Sequence, residues 1–215
     1  VSARGIDVSK WQGKIDWPAV ARDGVSFAFI RASHGDTDDP RFIENWRGAV
    51  DAGIIPGAYH YYEHPGATAD MQAHTFWAQL ASVWLPRGPL YSPCLPPVLD
   101  AEEGAPGPEA LLEWLEAVEG VTGLCPWIYT STGWWTPAIG ADDRFSRHPL
   151  WVAHWGVQKP AIPRPWTDWI VWQASNDGLV TGITTDVDTN VFNGSIDDLR
   201  WMARHDLASC DLGTA

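Results

Sequence analysis

The chain has 215 residues, 45% hydrophobic and 19% charged, which is enough apolar material for one large core, with no uncharged run long enough to span a membrane. Its 27 acidic residues against 14 basic ones give a net charge of −13. That balance excludes a nucleic-acid partner, which needs a basic face, and disfavours attraction to anionic surfaces.

Eight short apolar segments recur, at residues 4–8, 25–32, 55–62, 97–102, 127–131, 150–155, 169–174 and 187–192. Helical patterns separate the early ones. Residues 17–23 carry Pro18 near the start and Gly24 after the end, the asymmetry expected of a short helix. Segment 41–52 sets Phe42, Trp46, Ala49 and Val50 on one face and stops at Gly53. Segment 68–85 spaces Met71, Phe76, Leu80 and Val83 helically, segment 108–118 does the same with Leu111, Leu112, Leu115 and Val118, and 196–205 reads as a closing helix. Strands alternating with helices predict a parallel sheet. Eight strands whose helices fade after residue 131 predict an irregular TIM-like α/β barrel, a single domain over 1–215 with a loosely held tail at 206–215.

The most informative segment is Pro96-Pro97-Val98-Leu99-Asp100-Ala101-Glu102, an apolar strand ending in two acids spaced i, i+2. Side chains of a strand alternate between faces, so Asp100 and Glu102 point the same way, about 6.5–7 Å apart at Cα. Two carboxyls so placed suit glycoside hydrolysis, where an acid protonates the leaving oxygen and a second group stabilises the sugar cation. In a parallel barrel such groups belong at the C-terminal strand ends. There the sequence offers Asp7, then Arg31 and Ser33, His60 with Tyr61 and Tyr62, Tyr129 with Thr130, His154 with Trp155, Gln173, and Asp188 with Asn190. The 15 tryptophans, against only 6 phenylalanines, add broad apolar faces that suit sugar rings.

Other features read as structural. His60 and His64 lie in a strand and turn rather than on one helix face, so they are expected to be satisfied histidines; no metal and no cofactor is expected. Asn193-Gly194-Ser195 fits a glycosylation sequon and also a turn, its expected role. Cys94 and Cys125 each precede a strand, so they are expected to bridge at one end of neighbouring strands, leaving Cys210 in the tail as the odd one out.

Gly5-Ile6-Asp7-Val8-Ser9 with Trp11-Gln12-Gly13, Tyr59-His60-Tyr61-Tyr62, Pro97 through Glu102, Tyr129-Thr130, Leu150 through His154, Trp172-Gln173 and Val187-Asp188-Thr189-Asn190 together resemble the glycoside hydrolase family 25 lysozymes, the Chalaropsis-type muramidases. The likeness runs over about residues 4–194. It implies five strand–helix units followed by three strands, and cleavage of the β-1,4 bond after N-acetylmuramic acid in peptidoglycan. It also implies Glu102 as general acid among the carboxylates of Asp100, Asp7 and Asp188. The expected substrate-binding residues are Tyr61, Tyr62, Tyr129 and Trp155, together with Gln173, Asn190 and Arg31, the last standing where many relatives have lysine. The expected setting is extracellular, as a secreted monomer or a phage-borne lysin, with glycan strands as partner. No signal-peptide pattern precedes Gly5, so a leader has either been removed or was never present.

Burial and neighbouring acids should raise the Glu102 pKa and keep its proton. Asp100 either attacks the anomeric carbon or orients the substrate's own 2-acetamido group; the Asp-x-Glu order resembles the substrate-assisted hydrolases, with Tyr129 holding the acetamido group. Glu103 is expected to point away from Glu102. A chitinase-like pattern would need aspartates where Leu95 and Val98 stand. A sugar-binding module is the non-enzyme alternative, and the intact Asp100–Glu102 pair argues against it.

Overall fold

The computed structural model describes residues 2–84 and 93–204. The expected tail at 206–215, the end of the 68–85 pattern and Cys210 lie outside the described residues. Nine strands and six α-helices follow in the order β1 (Ser2–Val8), α1 (Trp17–Arg22), β2 (Phe27–His34), β3 (Thr37–Asp38), α2 (Phe42–Asp51), β4 (Ile55–Tyr61), α3 (Ala69–Ala81), β5 (Val98–Asp100), α4 (Gly107–Thr122), β6 (Trp127–Ser131), α5 (Thr132–Ala138), β7 (Leu150–Ala153), β8 (Val171–Gly178), β9 (Val187–Ser195) and α6 (Ile196–Arg204). The sheet runs β1-β9-β8-β7-β6-β5-β4-β2, β1 pairs back onto β2, and the ring closes. β3 is a short addition that forms a hairpin with β2.

The expected all-parallel sheet needs one correction. β9 pairs antiparallel with both β8 and β1, whereas the other ring neighbours are parallel. No α-helix joins the strands between α5 and β9, so nothing obliges the last strand to cross over in parallel. The reversal brings the start of β9, not its end, to the rim formed by the C-terminal ends of the other strands. Asn193-Gly194-Ser195, expected in a turn, belongs to β9 instead, and Asn193 Nδ2 donates to Trp169 O at 2.9 Å.

Helix boundaries follow the local chemistry. Asp16 caps α1 by accepting from the Ala19 amide, with Pro18 in the first turn. Thr68 caps α3 at the Met71 amide, and α4 stops at Gly123, whose φ of 70° is costly for any residue with a Cβ. Met71, expected on the buried face of α3, is 53% exposed, while Ala73, Phe76 and Leu80 are buried.

Alternation along the strands sorts the apolar residues into two layers. One set, including Ile30, Ala58, Leu99, Ile128 and Val152, faces the helices with Phe76, Trp114 and Trp135. The other, with Phe27, Phe29, Tyr59, Val98, Trp127, Tyr129 and Trp151, fills the barrel interior. The aromatic plug interlocks: Phe29 stacks on Trp151 with centroids 4.4 Å apart, and Trp127 and Tyr129 meet the same pair edge-on. Glycine makes the plug possible. A Cβ on Gly5 would lie 2.3 Å from the Phe27 ring, and one on Gly57 would lie 2.6 Å from Phe29.

The expected Cys94–Cys125 bridge is not formed. Cys94 is buried in the helix-facing layer. The Cys125 sulfur turns the other way, 3.7 Å from Arg147 O and 3.6 Å from His148 Nδ1. Those residues precede β7, on the side of β6 opposite to β5.

Candidate active site

On the plug stands a cleft of about 180 Å³ whose walls include Asp7, Arg31, Tyr59, Tyr61, Asp100, Glu102, Tyr129, Trp151, Gln173 and Asp188. It opens beside Glu102 and Tyr129 into a second hollow of about 410 Å³, lined by Ser131, Thr132, Gly133, His154 and Trp155. A larger hollow of about 820 Å³ between α1 and α2 lies away from these acids.

The inward parity of each strand selects these residues. β5 ends at Asp100, yet the ladder continues one step further, from the Ala101 amide to Tyr129 O at 2.9 Å. The alternation therefore holds as far as Glu102, which shares the cleft with Asp100 as its spacing predicted. Asp7 and Asp188 are direct partners across the antiparallel β1–β9 seam. In β2, a register shift between Arg31 and Ser33 breaks the alternation: Arg31 lines the cleft, whereas Ser33 turns out to hydrogen-bond His60.

Asp7 is the best-held acid. Its Oδ2 accepts from Gln173 Nε2 at 3.0 Å and from Asn190 Nδ2 at 2.8 Å. Both amides are fixed from behind by indoles: Trp155 Nε1 donates to Gln173 Oε1 at 2.8 Å and Trp151 Nε1 to Asn190 Oδ1 at 2.9 Å. Gln173 Oε1 also accepts the Tyr129 hydroxyl at 2.9 Å. Asp100 is buried, and its Oδ1 has no hydrogen-bond partner among the described residues. Arg31, also buried, is tied to Asp39 at 2.9 Å and sets a positive charge near Asp100.

Electrostatics pushes all four acids one way. Burial, then the neighbouring Glu102 and Asp7 charges, raise the Asp100 carboxyl well above its ordinary range. Burial and the Asp188 charge do the same to Asp7, and burial raises Asp188. Glu102 is raised chiefly by burial; the Tyr129 hydroxyl acts the other way, and Asp188 and Glu103 add like charge. Asp7 and Asp188 face each other, and two adjacent carboxylates in a desolvated site do not both ionise readily.

Tyr61, Tyr129, Trp155, Gln173, Asn190 and Arg31 are thus brought together with the four acids. Tyr62 is not. It is 3% exposed in the helix-facing layer, edge-on to the His60 ring. With Tyr59 and Tyr61 facing inward, strand parity turns Tyr62 outward. His60 is a satisfied structural histidine, with Nδ1 2.8 Å from Ser33 Oγ and Nε2 3.0 Å from Gln72 Oε1. Glu103, expected to point away from Glu102, accepts the Tyr61 hydroxyl at 2.6 Å. Sequence reasoning passed over Tyr59, which strand alternation from Tyr61 identifies. It also passed over the lip of Ser9, Trp11 and Gln12, where Trp11 is 71% exposed.

A closed α/β barrel with four acids and a rim of aromatics and amides defines the class as a glycoside hydrolase. The profile of the glycosyl hydrolases family 25 matches residues 6–183, and the chain belongs to that family. It is 37% identical over 207 residues to lysozyme M1 of Streptomyces globisporus, covering 89% of this chain and 68% of that one. It is 28% identical to the N,O-diacetylmuramidase of Chalaropsis sp, covering 94% and 99% of the two chains. Among solved structures, the bacterial lysozyme from Streptomyces coelicolor superposes with a TM-score of 0.84 at 35% identity, over 94% of this chain and 97% of that one.

Proposed function

We propose that the protein is a 1,4-β-N-acetylmuramidase, hydrolysing the bond between N-acetylmuramic acid and N-acetylglucosamine in bacterial peptidoglycan. It acts as a monomer outside the cytoplasm, with the barrel as one catalytic domain. Membership of the lysozyme family supports the reaction and the substrate. The observation that carries the residue roles is the pairing of Asp100, buried with an unpartnered oxygen, and Glu102, on one wall of one cleft.

Glu102 is the general acid. Burial raises its carboxyl above the ordinary range and so favours the protonated form, and that proton goes to the leaving glycosidic oxygen. Asp100 receives the N–H of the substrate's 2-acetamido group on its unpartnered oxygen, which turns the acetamido oxygen toward the anomeric carbon. Burial beside three other acids disfavours a freely ionised Asp100, and the amide N–H together with the Arg31 charge offsets that cost. Asp7 and Asp188 supply negative potential to the oxocarbenium-like transition state. Tyr61, Tyr129, Trp155, Gln173 and Asn190 position the sugars, with the Trp155 face as platform for a ring in the larger hollow.

Digestion of purified peptidoglycan followed by borohydride reduction tests the reaction: muramitol is expected as the new end, and glucosaminitol would sink the assignment. Glu102→Gln keeps the shape without the proton and should lower kcat by about 10²–10⁴. Near-normal turnover in that folded variant would remove Glu102 from its role.

A further inference from the structure

The turn after β1 is firmly held around a side chain that packs on little. Ser9 Oγ accepts the Trp11 amide at 3.3 Å and Gln12 Oε1 accepts the Ser9 amide at 2.9 Å, so the turn caps itself. The Lys10 amide donates to the buried Asp39 at 3.0 Å, and Gly13 ends the turn with a φ of 64°, which a residue with a Cβ adopts only at a cost. Between these anchors Trp11 is 71% exposed. Lys10 Nζ lies 5.0 Å from its ring centroid and covers one face. An indole left this far in water contributes little burial to the fold.

Its place in the barrel gives the indole a use. Trp11 lines the cleft that holds Asp100 and Glu102. Around the ring, β6 stands four strands from β1 in either direction, and β7 is next to it. The turn after β1 therefore faces the ends of β6 and β7 across the barrel mouth, where Trp155, 47% exposed, lines the larger hollow. Glu102 lines both hollows and so stands where they meet. Two exposed indoles on opposite sides of one carboxyl-lined cleft suit a polymer of flat-faced rings laid across it. We infer that Trp11 is a second sugar platform, which stacks on a ring of a β-1,4-linked chain of N-acetylated sugars at a distance from the bond that is cut. The enzyme then grips a glycan across the whole mouth, from Trp11 to Trp155. This rests on the cleft being the glycan site. The self-capped turn suits the role, because a platform already fixed in place loses little freedom when a sugar binds.

The test is the dependence of kcat/KM on chain length. The substrates are peptide-free chains of alternating N-acetylmuramic acid and N-acetylglucosamine, two to eight sugars long, with muramic acid at the non-reducing end. Initial rates are compared for the parent, Trp11→Ala and Trp11→Tyr. In Trp11→Ala the loss should grow with length and reach about three- to tenfold on the longest chain, the worth of one aromatic contact. It should appear mainly in KM, since a ring far from the cut bond is held alike in the ground and transition states. Trp11→Tyr keeps an aromatic face and should recover most of the loss. An equal loss at every length, or none at any length, overturns the inference: the first makes Trp11 part of the central cleft alone, the second leaves it without a sugar. If the loss grows with length but the new reducing ends are N-acetylglucosamine, the platform stands and the muramidase assignment fails.

Discussion

Asp188 illustrates how a single side chain at this site exchanges stability for chemistry. Its carboxyl is raised by burial and faces Asp7, which burial and the Asp188 charge raise further. A carboxyl whose folded value lies above its unfolded one adds stability that is complete below the unfolded value and lost as pH climbs through the folded one. Asp188→Asn deletes that loss. The variant should therefore melt above the parent at pH 7 by a few degrees, since about 1 kcal/mol moves the midpoint of such a domain by about 2–4 °C. The gap should close below about pH 4, where ordinary aspartates protonate, and lytic activity should fall at every pH. Calorimetry across the pH range checks this; an unchanged gap between pH 3 and 7 would show that proton linkage is not the cause. The site was largely legible at this scale because alternation decides facing: Asp100 with Glu102, and Tyr61 with Tyr129, follow from parity alone. Tyr62 obeys the same rule by facing outward, and grouping it with Tyr61 ignored that. Glu103 escaped because β5 ends at Asp100, and beyond a strand parity says nothing about where a long side chain bends.

Among the elements, β1 and β4 carry a tight constraint. Gly5 and Gly57 leave room for Phe27 and Phe29 inside the ring, and neither ring can retreat because the plug is filled by Trp127 and Trp151. Gly5→Ala should cost about 1–3 kcal/mol by overpacking, read as a lower urea midpoint with an unchanged slope. Stability equal to the parent would mean that the plug yields. Helices α2 and α4 were plain in the sequence because four apolar residues recur on one face of each. α5 was not, because Thr132-Gly133-Trp134-Trp135-Thr136-Pro137 mixes glycine, proline and two bulky aromatics in two turns. The direction of β9 was equally hidden, since a strand's apolar pattern reads the same in both directions. Cysteine spacing told which strands Cys94 and Cys125 precede, but not which neighbour each sulfur would face.

Over the whole molecule, 27 acids against 14 bases leave a net charge of −13, an unusual balance for an enzyme of anionic walls. Wall polymers of like sign repel it near neutrality, and that repulsion is screened beyond roughly 8 Å at about 0.15 M salt. Activity on intact cells should therefore peak below pH 7, where fewer carboxyls are ionised on either side and Glu102 keeps its proton. At pH 7, added salt should speed lysis of cells and barely change hydrolysis of a short soluble oligosaccharide. Turbidity and product assays run in parallel measure both; an optimum above pH 8 with equal salt responses would discard surface charge as the control.

The reversed β9 also changes when the enzyme becomes an enzyme. Asn190 reaches Asp7 across 183 residues of sequence, and Asp188 meets Asp7 only where the last strand seals the ring to the first. A barrel one strand short can have its plug, its outer helices and the Asp100–Glu102 wall, yet Asp7 then lacks both Asp188 and one of its two amide donors. Catalytic competence thus requires the ring to close, not only its interior to pack.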